Sequence, residues 1–335
     1  MPPKVDDRVT RMPPNRSVEP VLNILTFRMP LHLNLMNRRN FLSGVAGLLS
    51  PVALPEGAGA ASLGGSSWAL LSDTHIAGDL GERRHGVCMA ANARKVIAEI
   101  VDRDGGDAGV IVNGDCAHLF GKGQDYANFS ELVDPLIESR RGLHLLLGNH
   151  DDRDSLSRAC GCAGAESSLV PGKRTSFLPA EEANWFFLDS LETGRLVSGR
   201  IGEDQLIWLA AMLDRHKDKP AIVMAHHHLQ PVGGKGVPPG PGGGLKDSGA
   251  LFNLLTSQRQ VKAYFHGHTH RWGISQTREG LYVVNLPTTA YVFERPQPSG
   301  WVDSRLYHHG MRVELRSLDS WHPDHGVPQF LRWRK

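Results

Sequence analysis

Five short apolar runs in this chain each stop at a side chain that can hold a metal ion, and this coincidence constrains the fold more than any other feature. Trp68-Ala69-Leu70-Leu71-Ser72 runs into Asp73, Gly109-Val110-Ile111-Val112-Asn113 into Asp115, and Leu143 to Leu147 into Gly148-Asn149-His150-Asp151. Ala221 to Ala225 meets His226, and Val261 to Phe265 leads to Gly267-His268-Thr269-His270. Short apolar runs bounded by turn residues read as buried strands. Between them Met89, Ala93, Val96, Ile97, Ile100 and Val101 recur at helical spacing, and Glu203 to His216 reads as an amphipathic helix. This alternation predicts an α/β sandwich. Ligands of open α/β sheets gather outside the carboxyl ends of strands, so five strand ends sharing one edge would assemble one site. From about Leu281 the pattern changes to strands and turns, which predicts a second sheet packed on the first.

With 335 residues, 40% hydrophobic and 21% charged, the chain can bury a substantial core and reads as one large domain. A net charge of +2 is too small to argue for nucleic acid or an acidic membrane as a partner. The 17 histidines exceed what packing usually asks for and they cluster, which points to metal. Cys88, Cys116, Cys160 and Cys162 do not form a disulfide framework, because one glycine between Cys160 and Cys162 would close a strained ring. They read as buried or incidental thiols, with one oxidised pair as the alternative.

The first residues read as an address. Positions 1–35 are rich in Pro, Arg and Asn and read as disordered or upstream of a start at Met36. Asn37-Arg38-Arg39-Asn40-Phe41-Leu42, an apolar run to Leu54 and the small residues 57–62 resemble a twin-arginine signal over 36–62. Its apolar core is shorter than the roughly 20 residues of a spanning helix. An exported protein with no stable membrane span is expected, meeting the twin-arginine export machinery during targeting and residing in the periplasm or outside the cytoplasm. A chance arginine pair in an ordinary N-terminal segment would leave it in the cytoplasm instead. The domain is expected over 66–320, with 321–335 as a C-terminal tail. Residues 233–244, rich in Gly and Pro, form a loop, read as a surface insertion rather than a lid.

Taken in order, Asp73-Thr74-His75, Gly114-Asp115, Gly148-Asn149-His150-Asp151, His226 and Gly267-His268-Thr269-His270 resemble the five-block signature of the calcineurin-like metallophosphoesterases across residues 67 to about 290. The resemblance implies a four-layer αββα sandwich with two mixed β-sheets. It implies two divalent metal ions, the first held by Asp73, His75, Asp115 and His270 and the second by Asp115, Asn149, His226 and His268, with Asp115 shared. It also implies hydrolysis of a small phosphate ester by a metal-bridging hydroxide. His150 would protonate the leaving oxygen or steady the transition state, and Asp151 would orient it.

The residue types suit that chemistry. Two ions about 3.5 to 4 Å apart clamp a phosphate and share a nucleophile. Their four positive charges are reduced by two through Asp73 and Asp115 and by one through hydroxide, so the site stays attractive to an anion. Mixed His, Asp and Asn ligands suit Mn, Fe, Zn or Co rather than an all-oxygen cage. For His226 the register is less secure, since His227 and His228 adjoin it; the Val-x-x-His spacing and Pro231 favour His226, leaving His227 behind the ligands. Arg153 could contact substrate phosphate or form a surface salt bridge. His118, His308, His309, His322 and His325 read as surface histidines.

Gly148-Asn149-His150-Asp151-Asp152-Arg153 looks like the version in bacterial class III cyclic-nucleotide and glycerophosphodiester phosphodiesterases, and a diester or a monoester is the expected substrate. Purple acid phosphatases carry a Tyr where His118 stands. A catalytically idle metal-binding scaffold would be consistent with loss of His150 or a ligand, and neither is lost. A nuclease would call for a basic groove, which the charge balance does not support.

Overall fold

A strand buried on both faces alternates its side chains between two packing partners, and the first strand of this protein shows how its layers arise. The computed structural model describes residues 64–103, 108–160, 169–194, 197–230 and 243–335, all within the unit Ala60–Lys335. The expected signal over 36–62, nearly all of the 233–244 loop and Cys162 lie outside the described residues.

Along the chain run β1 (Ser66–Leu71), the short hairpin β2 (Arg83–Arg84) and β3 (Val87–Cys88), α1 (Met89–Val101), β4 (Gly109–Val112), α2 (Gly123–Glu138) and β5 (Gly142–Leu145). There follow α3 (Arg153–Cys160), β6 (Ser176–Pro179), β7 (Asn184–Phe187), α4 (Glu203–Arg215), β8 (Ala221–Met224), α5 (Ser248–Ser257) and β9 (Val261–His266). Strands β10 (Gly273–Gln276), β11 (Tyr282–Asn285), β12 (Gly300–Tyr307), β13 (Gly310–Ser317) and β14 (Pro328–Arg332) complete the order.

Two six-stranded sheets form, ordered β14-β13-β12-β1-β4-β5 and β10-β11-β9-β8-β7-β6. Both are mixed. In the first, β1, β4 and β5 are parallel and β12 joins β1 antiparallel. In the second, β7, β8, β9 and β11 are parallel, with antiparallel edges β6 and β10. In β1, Trp68 and Leu70 enter a core between the sheets with Trp185, Met224, Phe265 and Val302, while Ala69 and Leu71 pack with Val96, Ile100 and Phe129 of α1 and α2. On the far side Leu209, Leu213, Leu251 and Leu255 of α4 and α5 cover Ala221 and Val223 of β8. The layers are therefore helix, sheet, sheet, helix. Each such fully buried aliphatic side chain is worth about 1.5 to 3 kcal/mol, so this double-faced burial is the main force holding the layers.

Two expectations need correction. The second sheet does not begin near Leu281: β8 and β9 already belong to it, and β12 to β14 return to the first sheet. Strands buried on both faces look alike in sequence whichever sheet they join, so pattern alone cannot sort them. Residues 321–335 are not a separate tail either. Strand β14 pairs with β13, and Leu331 and Trp333 enter the inter-sheet core.

Candidate metal centre

The parallel strands β1, β4 and β5 of one sheet and β8 and β9 of the other end at the same side of the sandwich, and their following loops interlock. Asp73 N–H donates to the Gly114 carbonyl at 3.1 Å and His75 N–H to that of Asp115 at 2.9 Å, so the first two loops run side by side. The two sheets are tied there by Asn113, whose Nδ2 donates to the Ala225 carbonyl at 3.2 Å, and by the His268 N–H, which donates to the Asp73 carboxylate.

Three groups of side chains place their potential ligand atoms within 4.8 Å of one another: Asp73, His75 and His270; His75, Asp115 and His150; Asp115, His226 and His268. The first and third are subsets of the two expected ligand sets, and Asp115 reaches both. Its Oδ2 lies 3.7 Å from His75 Nε2 and 3.3 Å from His226 Nε2. His75 and His270 face each other with Nε2 atoms 3.0 Å apart, and His270 Nε2 is 3.5 Å from Asp73 Oδ1. Asn149 follows Gly148, whose backbone abuts the Asp115 carboxylate.

Neighbouring carbonyls fix the tautomers. His226 Nδ1–H donates to the Asn113 carbonyl at 2.8 Å and His270 Nδ1–H to that of Tyr291 at 2.5 Å. Each leaves Nε2 as the atom available to a cation. His227 is engaged at both nitrogens, with Ser190 Oγ at 2.7 Å and the Val197 carbonyl at 3.1 Å, so His226 is the member of that run facing Asp115.

The backbone here is strained. Asp73, His75, Asp115, His268 and His270 have φ of 53°, 48°, 50°, 68° and 53°, the left-handed region that residues with a Cβ seldom adopt. Such conformations cost about 1 to 3 kcal/mol each and persist where surroundings over-determine them. The glycines of the motifs have a separate reason. A Cβ on Gly148 would collide with the Asp115 carboxylate, one on Gly267 with Ser72 Oγ, and one on Gly114 would lie 2.6 Å from the Gly148 nitrogen.

Burial pulls the His75 imidazole well below its ordinary pKa despite the Asp115 carboxylate, and burial with His227 and His226 alongside does the same to His268. Both are neutral near pH 7 and keep a lone pair. Burial also acts downward on His226, but the Asp115 and Asp73 carboxylates outweigh it and raise its pKa to about 10. Burial would push Asp115 up, and His226 foremost holds it well below the carboxylate range instead. Buried His226 Nε2 and Asn149 Oδ1 have no hydrogen-bond partner among the described residues. An unsatisfied buried polar atom costs about 1 to 3 kcal/mol, and a shared cation would satisfy donors of this kind. The residues present therefore fit a pair of divalent ions.

His150 sits at the mouth, its Nδ1–H donating to the Leu119 carbonyl at 2.9 Å and its Nε2 4.0 Å from Asp115 Oδ2. Asp151 does not orient it. Its buried carboxylate accepts the N–H groups of Cys116, Ala117 and Gly148 and the Tyr126 hydroxyl, which staples the loop after β4 to the loop after β5. Burial and nearby Asp115 raise its pKa to about 6 against those backbone donors. Arg153 is committed to Asp189 at 2.6 and 3.0 Å and to the Leu191 carbonyl, so it is a structural ion pair. His118 is not a surface residue: it is buried, and its Nε2 accepts from Arg84 Nε at 3.1 Å. Sequence reasoning also missed Tyr126 and the carbonyls of Asn113, Leu119 and Tyr291. A backbone carbonyl carries no sequence signal, whereas Tyr126 stands on the buried face of α2 and reads as core.

The family model described as calcineurin-like phosphoesterase matches residues 68–272. The chain is 28% identical over 238 residues to a 3',5'-cyclic adenosine monophosphate phosphodiesterase of Pseudomonas aeruginosa, covering 70% of this chain and 80% of that protein. It is 25% identical over 226 residues to a glycerophosphodiester phosphodiesterase of Enterobacter lignolyticus, covering 66% of this chain and 76% of that one. Among solved structures, a dimetal phosphatase from Danio rerio superposes with a TM-score of 0.61 at 17% identity, covering 80% of this chain and 99% of that one, a likeness of fold.

Proposed function

Because the chain belongs to the calcineurin-like phosphoesterase family and is a metal-dependent phosphoric ester hydrolase, we propose that its substrate is a phosphodiester, cleaved at a dinuclear centre shared through Asp115. The observation that carries the dinuclear reading is the position of Asp115, one carboxylate within 3.7 Å of His75 Nε2 and 3.3 Å of His226 Nε2. The diester reading is supported by the activities for which the two relatives are named, each a phosphodiesterase.

Asp73, His75, Asp115 and His270 would hold one ion and Asp115, Asn149, His226 and His268 the other. Two divalent ions supply Lewis acidity to the phosphoryl oxygens and an activated water at neutral pH. This chain's residues do the rest. The Asn113 and Tyr291 carbonyls keep the Nε2 lone pairs of His226 and His270 directed inward. His150, anchored through Nδ1 to Leu119, holds a proton on Nε2 and gives it to the departing alkoxide. Asp151 keeps the Asp115 and Asn149 loops in register. Phosphoryl transfer is mostly positioning and charge stabilisation, so no side-chain nucleophile is required.

The test is hydrolysis of an aryl phosphodiester and of the matching monoester by the manganese-loaded full chain. Metal-dependent turnover favouring the diester, lost in Asn149→Ala and His150→Ala, is the expected result. Preference for the monoester removes the diester reading, and no turnover with two metals bound removes the catalytic one.

We also infer export through the twin-arginine machinery, supported by the order of residues 36–62. Replacing Arg38 and Arg39 by lysine should retain the protein in the cytoplasmic fraction; unaltered distribution would reject the signal.

A further inference from the structure

Of the ten large apolar residues exposed among the described residues, four surround the mouth of a centre whose floor is all His, Asp and Asn. Leu119 and Phe120 line a cavity of about 440 Å³ together with Asn149 and His150. Val197 stands beside His268: its Cγ1 lies 2.6 Å, and His268 Nε2 3.0 Å, from where a Cβ on Gly243 would be. Phe293 completes the set. Its ring stacks on His270 at 4.4 Å and 27°, yet the residue remains 57% exposed.

Phe293 is held from behind and beside. Tyr291 fills the space beneath, stacked on His75 at 5.4 Å and 4.9 Å from His85. His85, exposed at the tip of the β2–β3 hairpin, meets Phe293 edge-on at 5.7 Å and 88°. His85 (φ 48°) and Gly86 (φ 80°) both have positive φ, as a tight two-residue hairpin turn requires, so the imidazole is presented at a fixed place.

An exposed apolar ring gains nothing from water, and apolar surface concentrated at the rim of a polar site marks a binding surface. We propose that Phe293, flanked edge-on by His85, is a ring-stacking platform that selects esters bearing a planar aromatic group over esters of purely aliphatic alcohols. The proposal rests on the phosphoesterase reading. A planar substituent laid on Phe293 lies one ring layer outside His270, within a short linker's reach of a phosphoryl group at the ligand atoms. Stacking on an aromatic side chain is worth roughly five- to 150-fold in affinity. An aliphatic polyol has no π face to offer.

The experiment compares kcat/KM for bis(4-nitrophenyl) phosphate and for glycerophosphoethanolamine in the manganese-loaded full chain, Phe293→Ala, Phe293→Trp and His85→Ala. Intrinsic reactivity cancels when the ratio of the two substrates is compared between variants. The ratio should fall about tenfold in Phe293→Ala through KM, fall less in His85→Ala, and be retained in Phe293→Trp. An equal loss on both substrates, or none on either, overturns the platform. So does loss of bound metal in Phe293→Ala, which would make the ring a prop for His270. If the parent protein hydrolyses neither ester, the phosphoesterase reading fails by itself, and the platform is read from binding. Affinity for phenylphosphonate but not ethylphosphonate should then drop about tenfold in Phe293→Ala, and an equal response to both rejects it.

Discussion

The first sheet is built in two ways, and its halves serve different ends. In its parallel half, β1, β4 and β5 run into loops where Asp73, His75 and Asp115 hold left-handed backbones and Asn149 Oδ1 lacks a hydrogen-bond partner. In its antiparallel half, β12, β13 and β14 contain no non-glycine residue with positive φ, and several of their charged side chains are paired. Arg316 meets Glu99 at 2.8 Å and Glu314 at 3.3 Å, Arg103 meets Asp303 at 2.7 Å, and Trp301 Nε1 donates to Glu99 at 3.0 Å. One half concentrates backbone strain at a ligand site; the other supplies regular ladder, packing and ion pairs. Stability and chemistry are thus separable within one sheet.

That separation can be broken by substitutions on each side. His150→Ala should lower kcat by about a hundred- to ten-thousandfold while leaving metal content and thermal midpoint near the parent values, read by turnover and metal analysis together. An equal loss of metal would place His150 among the ligands instead.

A smaller effect concerns pH. With its pKa at about 10, His226 carries a proton that a divalent ion must displace, so metal loading releases protons and apparent affinity weakens by up to about tenfold per unit as pH falls below that value. The sign for the metal-free fold is opposite. The raised pKa contributes stability that is complete below the ordinary value of 6.5 and is lost as pH rises through about 10. Titration calorimetry in buffers of different ionisation enthalpy measures the proton release, and none at pH 8 would contradict the assignment.

Asn149→Leu should abolish turnover yet raise metal-free stability by about 1 kcal/mol, since it removes a buried unpartnered oxygen. Chemical denaturation of the metal-free protein checks it. Arg316→Ala on the other half should change stability by no more than about 1 kcal/mol and turnover not at all, because the pair is partly exposed. A large activity loss there would show that the halves are coupled.

How much of this was legible depends on what each feature leaves in the sequence. The strand ends and their ligand types were readable because a buried parallel strand is a short apolar run and the polar residues just after it are conspicuous, as at Asp73, Asp115 and His226. The assignment of β8 and β9 to the second sheet was not, because Ile222 and Val223 look the same whether the neighbouring layer is a helix or a sheet. The stapling role of Asp151 was hidden for another reason. Its partners are three backbone N–H groups, and adjacency to His150 suggested a contact that the loop geometry does not make. Strain at five of the expected ligands was also invisible, since no residue type announces it when function demands Asp or His at the position.

The central claim is a two-ion centre joined by Asp115, and metal content tests it most directly. After manganese loading and desalting, elemental analysis should find two ions per chain in the parent protein, about one in Asp73→Ala, and fewer than one in Asp115→Ala, since that carboxylate serves both ligand groups. One ion per chain in the parent, or two retained in Asp115→Ala, would contradict it.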